Sequence, residues 1–133
     1  MRDMIAEELN KLAMPEKMRE AVREAIARLV DHVHPEVIIL FGSWAMGRAQ
    51  ADSDVDLVVV APSRDRWGLA RDLYVLWHRL RRESPALPPA DILVYTPEEF
   101  QKAYLVGFPA YNAVRHGVVV YGQLPEFCLR VAA

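Results

Sequence analysis

The chain has 133 residues, 53% hydrophobic and 26% charged, which suits a single domain with a real hydrophobic core and leaves little room for another. Its formal net charge of −2 speaks against a grip on long nucleic acid, which needs clustered, uncompensated Lys and Arg; small phosphate ligands, held by a few donors and a metal, remain open. The single cysteine, Cys128, cannot form an intrachain disulfide, no apolar run reaches the length of a membrane span, and the first residues carry no signal-peptide core, so a soluble protein of the reducing cytoplasm is expected.

Taken in chain order, apolar residues recur at Met18, Val22, Ile26, Leu29 and Val33. Their spacing of three and four predicts an amphipathic helix from Pro15 to Val33, with Pro15 in its first turn, so N-terminal helices are expected over residues 3–33. Val37-Ile38-Ile39-Leu40-Phe41, bounded by Pro35 and Gly42, reads as a buried strand, and Leu57 to Val60, ended by Pro62, as a second. A short helical turn from Gly42 to Arg48 and a polar loop are expected between them. Trp67, Ala70, Leu73, Tyr74, Trp77 and Leu80 mark another amphipathic helix, ending in the basic stretch Arg79 to Arg82. Beyond the stiff Leu87-Pro88-Pro89, a third strand runs from Asp91 to Tyr95. Thr96-Pro97-Glu98-Glu99 then opens a helix, with Thr96 as cap, Pro97 at the first position and Glu99 closing a capping box. A short helix from Pro109 to Gly117 and a last strand from Val118 to Tyr121 complete a core of about residues 36–121. The order predicts an α/β (α+β) domain, a small mixed β-sheet flanked by helices, occupying residues 1–133.

The chemistry concentrates in Gly42-Ser43, ten intervening residues, and Asp54-Val55-Asp56. Residues two apart on a strand face the same way, so Asp54 and Asp56 present two carboxylates side by side at the start of an apolar strand. Like charges this close raise the cost of ionising both, and Mg²⁺, which prefers oxygen ligands, compensates well. Asp91, opening the third strand, becomes the third carboxylate if that strand lies beside the second. Three carboxylates can hold two metals roughly 3.5–4 Å apart, as in-line phosphoryl or nucleotidyl displacement requires. Gly42 lets backbone approach a phosphate, and Ser43 adds a hydroxyl donor. From average composition, Gly-Ser followed at this spacing by Asp-x-Asp arises by chance in roughly one chain of this size in a thousand, which favours function over accident.

Plainer roles exist for each residue: Ser53-Asp54 as a turn into a strand, Asp91 as loop chemistry after Pro-Pro-Ala, Arg48 as a surface residue rather than a phosphate contact. Trp44 reads as core or pocket wall. His32, His34, His78 and His116 lack zinc-ligand spacing and read as structural, and Cys128 reads as a small apolar residue.

Phe41-Gly42-Ser43-Trp44-Ala45-Met46-Gly47 followed by Ser53-Asp54-Val55-Asp56-Leu57 resembles the signature of the minimal nucleotidyltransferases of the DNA-polymerase-β-like superfamily. Asp91-Ile92-Leu93-Val94-Tyr95-Thr96 is similar to their third-carboxylate strand, and Arg115 to Tyr121 to their C-terminal segment. The resemblance implies a nucleotidyltransferase fold, Asp54, Asp56 and Asp91 as catalytic metal ligands, Gly42, Ser43 and Arg48 at the nucleotide, and two Mg²⁺ ions with ATP or another nucleoside triphosphate. The implied reaction is transfer of AMP to a hydroxyl. Many relatives are antitoxins paired with an all-helical HEPN-domain toxin, which they bind or modify on a tyrosine. Met46 stands where relatives often carry a basic residue, for which Arg48 is the expected substitute. A non-catalytic module that neutralises its partner by contact, through the apolar tail Leu124 to Val131, is the alternative. An aminoglycoside-type enzyme is disfavoured because the length leaves no room for a substrate domain; a homo- or hetero-oligomer fits so small a chain.

Overall fold

The computed structural model describes residues 5–131; the ends of the expected N-terminal helical region (residues 3 and 4) and of the expected domain lie outside the described residues. A short 3₁₀ helix, Glu7–Lys11, precedes α1 (Glu16–Val33), whose first residue follows Pro15 at the N-cap. Strand β1 (Val37–Phe41) leads through a long turn to β2 (Val55–Val60), and α2 (Arg66–Glu83) crosses to β3 (Ala90–Tyr95). Helices α3 (Pro97–Val106) and α4 (Ala110–His116), strand β4 (Val118–Gly122) and helix α5 (Glu126–Val131) follow. Among the described residues no helix is long and apolar enough to cross a membrane.

The four strands form one mixed sheet in the order β3-β2-β1-β4: β1 is antiparallel to β2 and β4, whereas β2 and β3 run parallel, joined by α2. The expected mixed sheet flanked by helices is the observed fold. Alternation along the strands sends two sets of side chains to opposite faces. Ile38, Leu40, Leu57, Val59, Ile92 and Val94 pack with Ile26, Leu29, Leu73 and Trp77 of α1 and α2. Val37, Ile39, Val58 and Val60 pack with Phe100, Tyr104, Ala110, Ala113 and Cys128 of α3, α4 and α5. Burial pushes the Cys128 thiol up to about 11, in keeping with an inert apolar role.

Two boundaries carry consequences. The capping box at α3 is complete: Glu99 N–H donates to Thr96 Oγ1 at 3.2 Å and Thr96 N–H donates to Glu99 Oε1 at 3.1 Å. Thr96→Ala is therefore expected to lower Tm by about 2–5 °C in a thermal melt, the usual cost of a lost cap in a domain this size. At Gly117, a Cβ would stand 2.3 Å from the Ala113 carbonyl oxygen and 2.8 Å from that of Leu40. Only glycine lets the end of α4 come down so closely on β1, and this contact fixes where α4 crosses the sheet.

Candidate active site

The register of the parallel pair decides the geometry. Asp56 lies directly opposite Asp91, and on its other side opposite Phe41, the residue before Gly42. Asp56 shares a sheet face with Val58 and Val60, and Asp91 with Leu93 and Tyr95, so both carboxylates project on the side of α3, α4 and α5. Those helices cover the far end of that face. They leave the near end open as a pocket of about 640 Å³ lined by Phe41, Gly42, Met46, Asp56, Asp91, Leu93, Phe108, Pro109, Asn112 and His116. Its floor is acidic and its walls are mostly apolar.

Asp56 is half-buried, while Asp54 and Asp91 are exposed. Burial first, and then the nearby charges of Asp91 and Asp54, push the Asp56 carboxyl from 3.8 up to about 6. Asp56 therefore feels both other acids where β2 and β3 begin. Among the described residues no three His, Cys, Asp or Glu side chains close on a common point as a bound cation demands. Asp56 and Asp91 share the pocket lining, and Asp54 stands outside it. The carboxylates offer oxygen alone, and Asp56 among them is half-buried with its charge disfavoured, which fits a hard divalent ion such as Mg²⁺.

Gly42 meets this cluster from above. Its φ is 78°, and a Cβ there would lie 2.1 Å from Asp56 Oδ2, so the β1 turn can pass over the carboxylate only as glycine. The segment after it makes the expected single helical turn and does not continue as a helix: Met46 N–H donates to Gly42 O at 3.1 Å, Arg48 N–H donates to Ser43 O at 2.9 Å, and Gly47 has a φ of 70°. Ser43 is half-buried beside Gly42. Arg48 is exposed and outside the pocket lining, whereas Met46, 46% exposed, forms part of it. Trp44, 5% exposed, donates its indole N–H to Ser53 O at 3.1 Å. It is thus core on one side and a tie to the Asp54 loop on the other.

His116, read from sequence as structural, lines the pocket together with Asn112 one helical turn earlier. Nothing in the local sequence distinguishes either residue, because their place depends on how α4 crosses the sheet. The C-terminal apolar tail folds back as α5: Phe127 stacks near Phe100 and Tyr104, Cys128 is buried, and Leu129 stays exposed.

A sequence model of the family described as Polymerase beta, Nucleotidyltransferase matches residues 24–123. The chain belongs to that family. Among solved structures, a toxin–antitoxin with AMP-PNP is similar at 23% identity over 82% of each chain, with a TM-score of 0.51. A nucleotidyltransferase from Sulfolobus solfataricus is similar at 16% identity over 81% of this chain and 88% of that one (TM-score 0.49). The toxin–antitoxin MntA-HpeT, as the mutant D39ED41E, is similar at 20% identity over 82% of each chain (TM-score 0.48). No curated protein matches the chain.

Proposed function

We propose that this protein is a Mg²⁺-dependent nucleotidyltransferase that moves AMP from ATP to a hydroxyl, with Asp54, Asp56 and Asp91 as metal-binding carboxylates and the Gly42-Ser43 turn against the phosphates. The observation that carries this reading is the register that sets Asp56 opposite Asp91 on the open end of the sheet, with Gly42 against Asp56. When bound, Mg²⁺ would neutralise the triphosphate and lower the pKa of the attacking hydroxyl. The chain's own contribution is placement. Asp56, half-desolvated, supplies a carboxylate whose charge is costly until it is countered. Asp91, exposed at the pocket floor, is placed to take the acceptor's proton as its oxygen bonds to the α-phosphorus and the bond to the departing pyrophosphate breaks. The apolar walls of Phe41 and Leu93 reduce the water around the reacting atoms, where it would compete as acceptor.

A protein acceptor is favoured over a small molecule. Phe108 at the pocket rim is 75% exposed, and Leu105 and Val106 before it are 70% and 86% exposed, a run of apolar surface suited to contact with another protein. The sequence resemblance and the toxin–antitoxin of similar fold that holds AMP-PNP make a tyrosine of a HEPN-type toxin the acceptor to try first, in the cytoplasm and within a hetero-oligomer.

The test is incubation with Mg²⁺ and ATP labelled at the α- or the γ-phosphate, with and without the product of a neighbouring gene. Label is expected to pass to protein from the α-position alone and to require Mg²⁺. Complex formation with no label moving would replace the enzyme by a contact antitoxin. A cation at the pocket mouth should tighten phosphate binding, so Met46→Lys is expected to lower KM for ATP about three- to tenfold, with little change in kcat; steady-state kinetics read this directly.

A further inference from the structure

Two buried tryptophans hold the backbone that leads into Asp54 and Asp91, and each uses its indole N–H in the same way. Trp44 donates to Ser53 O at 3.1 Å, immediately before Asp54. Trp77 of α2, 1% exposed, donates to Pro88 O at 2.8 Å, three residues before Asp91. Between these points the backbone closes the link, because Val55 N–H donates to Pro89 O at 2.9 Å. The path therefore runs from Trp44 through Ser53, Asp54 and Val55, across to Pro89 and Pro88, and ends at Trp77. Prolines 88 and 89 have no N–H of their own, so this approach to β3 can be anchored only through its carbonyls. Arg81 Nε adds one more such bond, to Leu87 O at 3.2 Å.

We propose that Trp44 and Trp77 are positioning residues, whose indole N–H groups set the spacing of Asp54 and Asp91 and thereby the affinity of the acidic cluster for a divalent cation. Three mutually repelling carboxylates tend to spread, and Asp54 and Asp91 are exposed, with little side-chain packing to resist this. The restraint must come from the backbone. At Asp54 it comes from both neighbours, Ser53 held by Trp44 and Val55 held by Pro89. The proposal rests on the cation-binding reading above.

The test is titration of the apoprotein with Mn²⁺ alone, free Mn²⁺ being read by electron paramagnetic resonance, so that no turnover is needed. Trp44→Phe keeps an aromatic ring and deletes the donor. It is expected to raise the Mn²⁺ Kd about three- to tenfold, the scale of one neutral hydrogen bond, and Trp77→Phe, which breaks the link at its other end, to do likewise. Trp67→Phe, at a 73% exposed position, should bind as wild type. So should Leu29→Ala, a variant on α1 in the same apolar layer as both tryptophans, which loosens the core and deletes no hydrogen bond of the link. Circular dichroism confirms that each variant is folded, and either indole variant suffices if the other is not. Wild-type Mn²⁺ affinity in the folded indole variants, or an equal loss in Leu29→Ala, would overturn the proposal. Asp56→Asn separates the two levels: if it loses binding while the indole variants keep it, only the positioning role fails, and if it binds as wild type, the cation site itself is wrong.

Discussion

Replacing Asp56 by Asn is expected to abolish nucleotidyl transfer while making the metal-free protein harder to unfold. The loss should be at least about a thousandfold, since the variant removes the proposed central ligand of the cluster and the charge that would hold a cation against the phosphates. The gain follows from the carboxyl's position, raised from 3.8 to about 6 by burial and by Asp91 and Asp54. A carboxyl whose folded pKa lies above its unfolded value holds its proton more tightly when folded. Wild-type stability therefore falls as pH rises from about 4 to about 6 and stays lower above that range. Asparagine has no charge to desolvate, so the variant lacks this slope. Two pKa units would correspond to roughly 3 kcal/mol, but the side chain is only half-buried, and solvent screening reduces the expected gain to about 1 kcal/mol at neutral pH. Thermal melts of both proteins at pH 4 and pH 7.5 test the sign: the variant's advantage should be present at pH 7.5 and nearly gone at pH 4. Saturating Mg²⁺ should reverse the order, because it stabilises only the form that binds it.

Gly42→Ala is the second large effect, and it acts by geometry alone. The added Cβ would overlap Asp56 Oδ2 at 2.1 Å, on a backbone with φ of 78° that L side chains rarely adopt. Either the turn lifts off the carboxylate or Asp56 swings away from Asp91. The conformational strain alone costs about 1–2 kcal/mol, and displacement of the cluster should lower kcat by about a hundredfold or more. Chemical denaturation and single-turnover transfer would measure the two losses separately. An alanine variant with wild-type kcat would mean that the close approach of Gly42 to Asp56 has no part in the chemistry.

The legible parts of this molecule were those governed by local rules. The five-residue apolar run at Val37 gave its strand directly, and Thr96-Pro97-Glu98-Glu99 gave both a boundary and its hydrogen bonds, because a cap is made within four residues. Alternation predicted Asp54 and Asp56 on one strand face, but β2 begins at Val55, so Asp54 precedes the strand and stands outside the pocket lining. Asp91 was conditional: its pairing with Asp56 depends on α2 returning the chain parallel to β2, which no local pattern specifies. His116 and Asn112 were invisible as pocket residues for the same reason, their position following from the close seat of Gly117 on β1. The short helical turn after Gly42 was legible, but not that it ends at Gly47, with a φ of 70°, so that Met46 lines the pocket while Arg48 stands outside its lining. The indole links are likewise a tertiary fact, since each joins residues nine or more apart in sequence.

The most direct measurement is a crystal of the protein soaked with Mn²⁺ and a non-hydrolysable ATP analogue, examined for anomalous scattering. An anomalous peak between Asp56 and Asp91, roughly 2.0–2.3 Å from their oxygens, with the triphosphate over the Gly42 turn, is the expected result. Nucleotide bound elsewhere, or carboxylates that bind no metal while nucleotide is present, would contradict the acidic cluster as the catalytic centre.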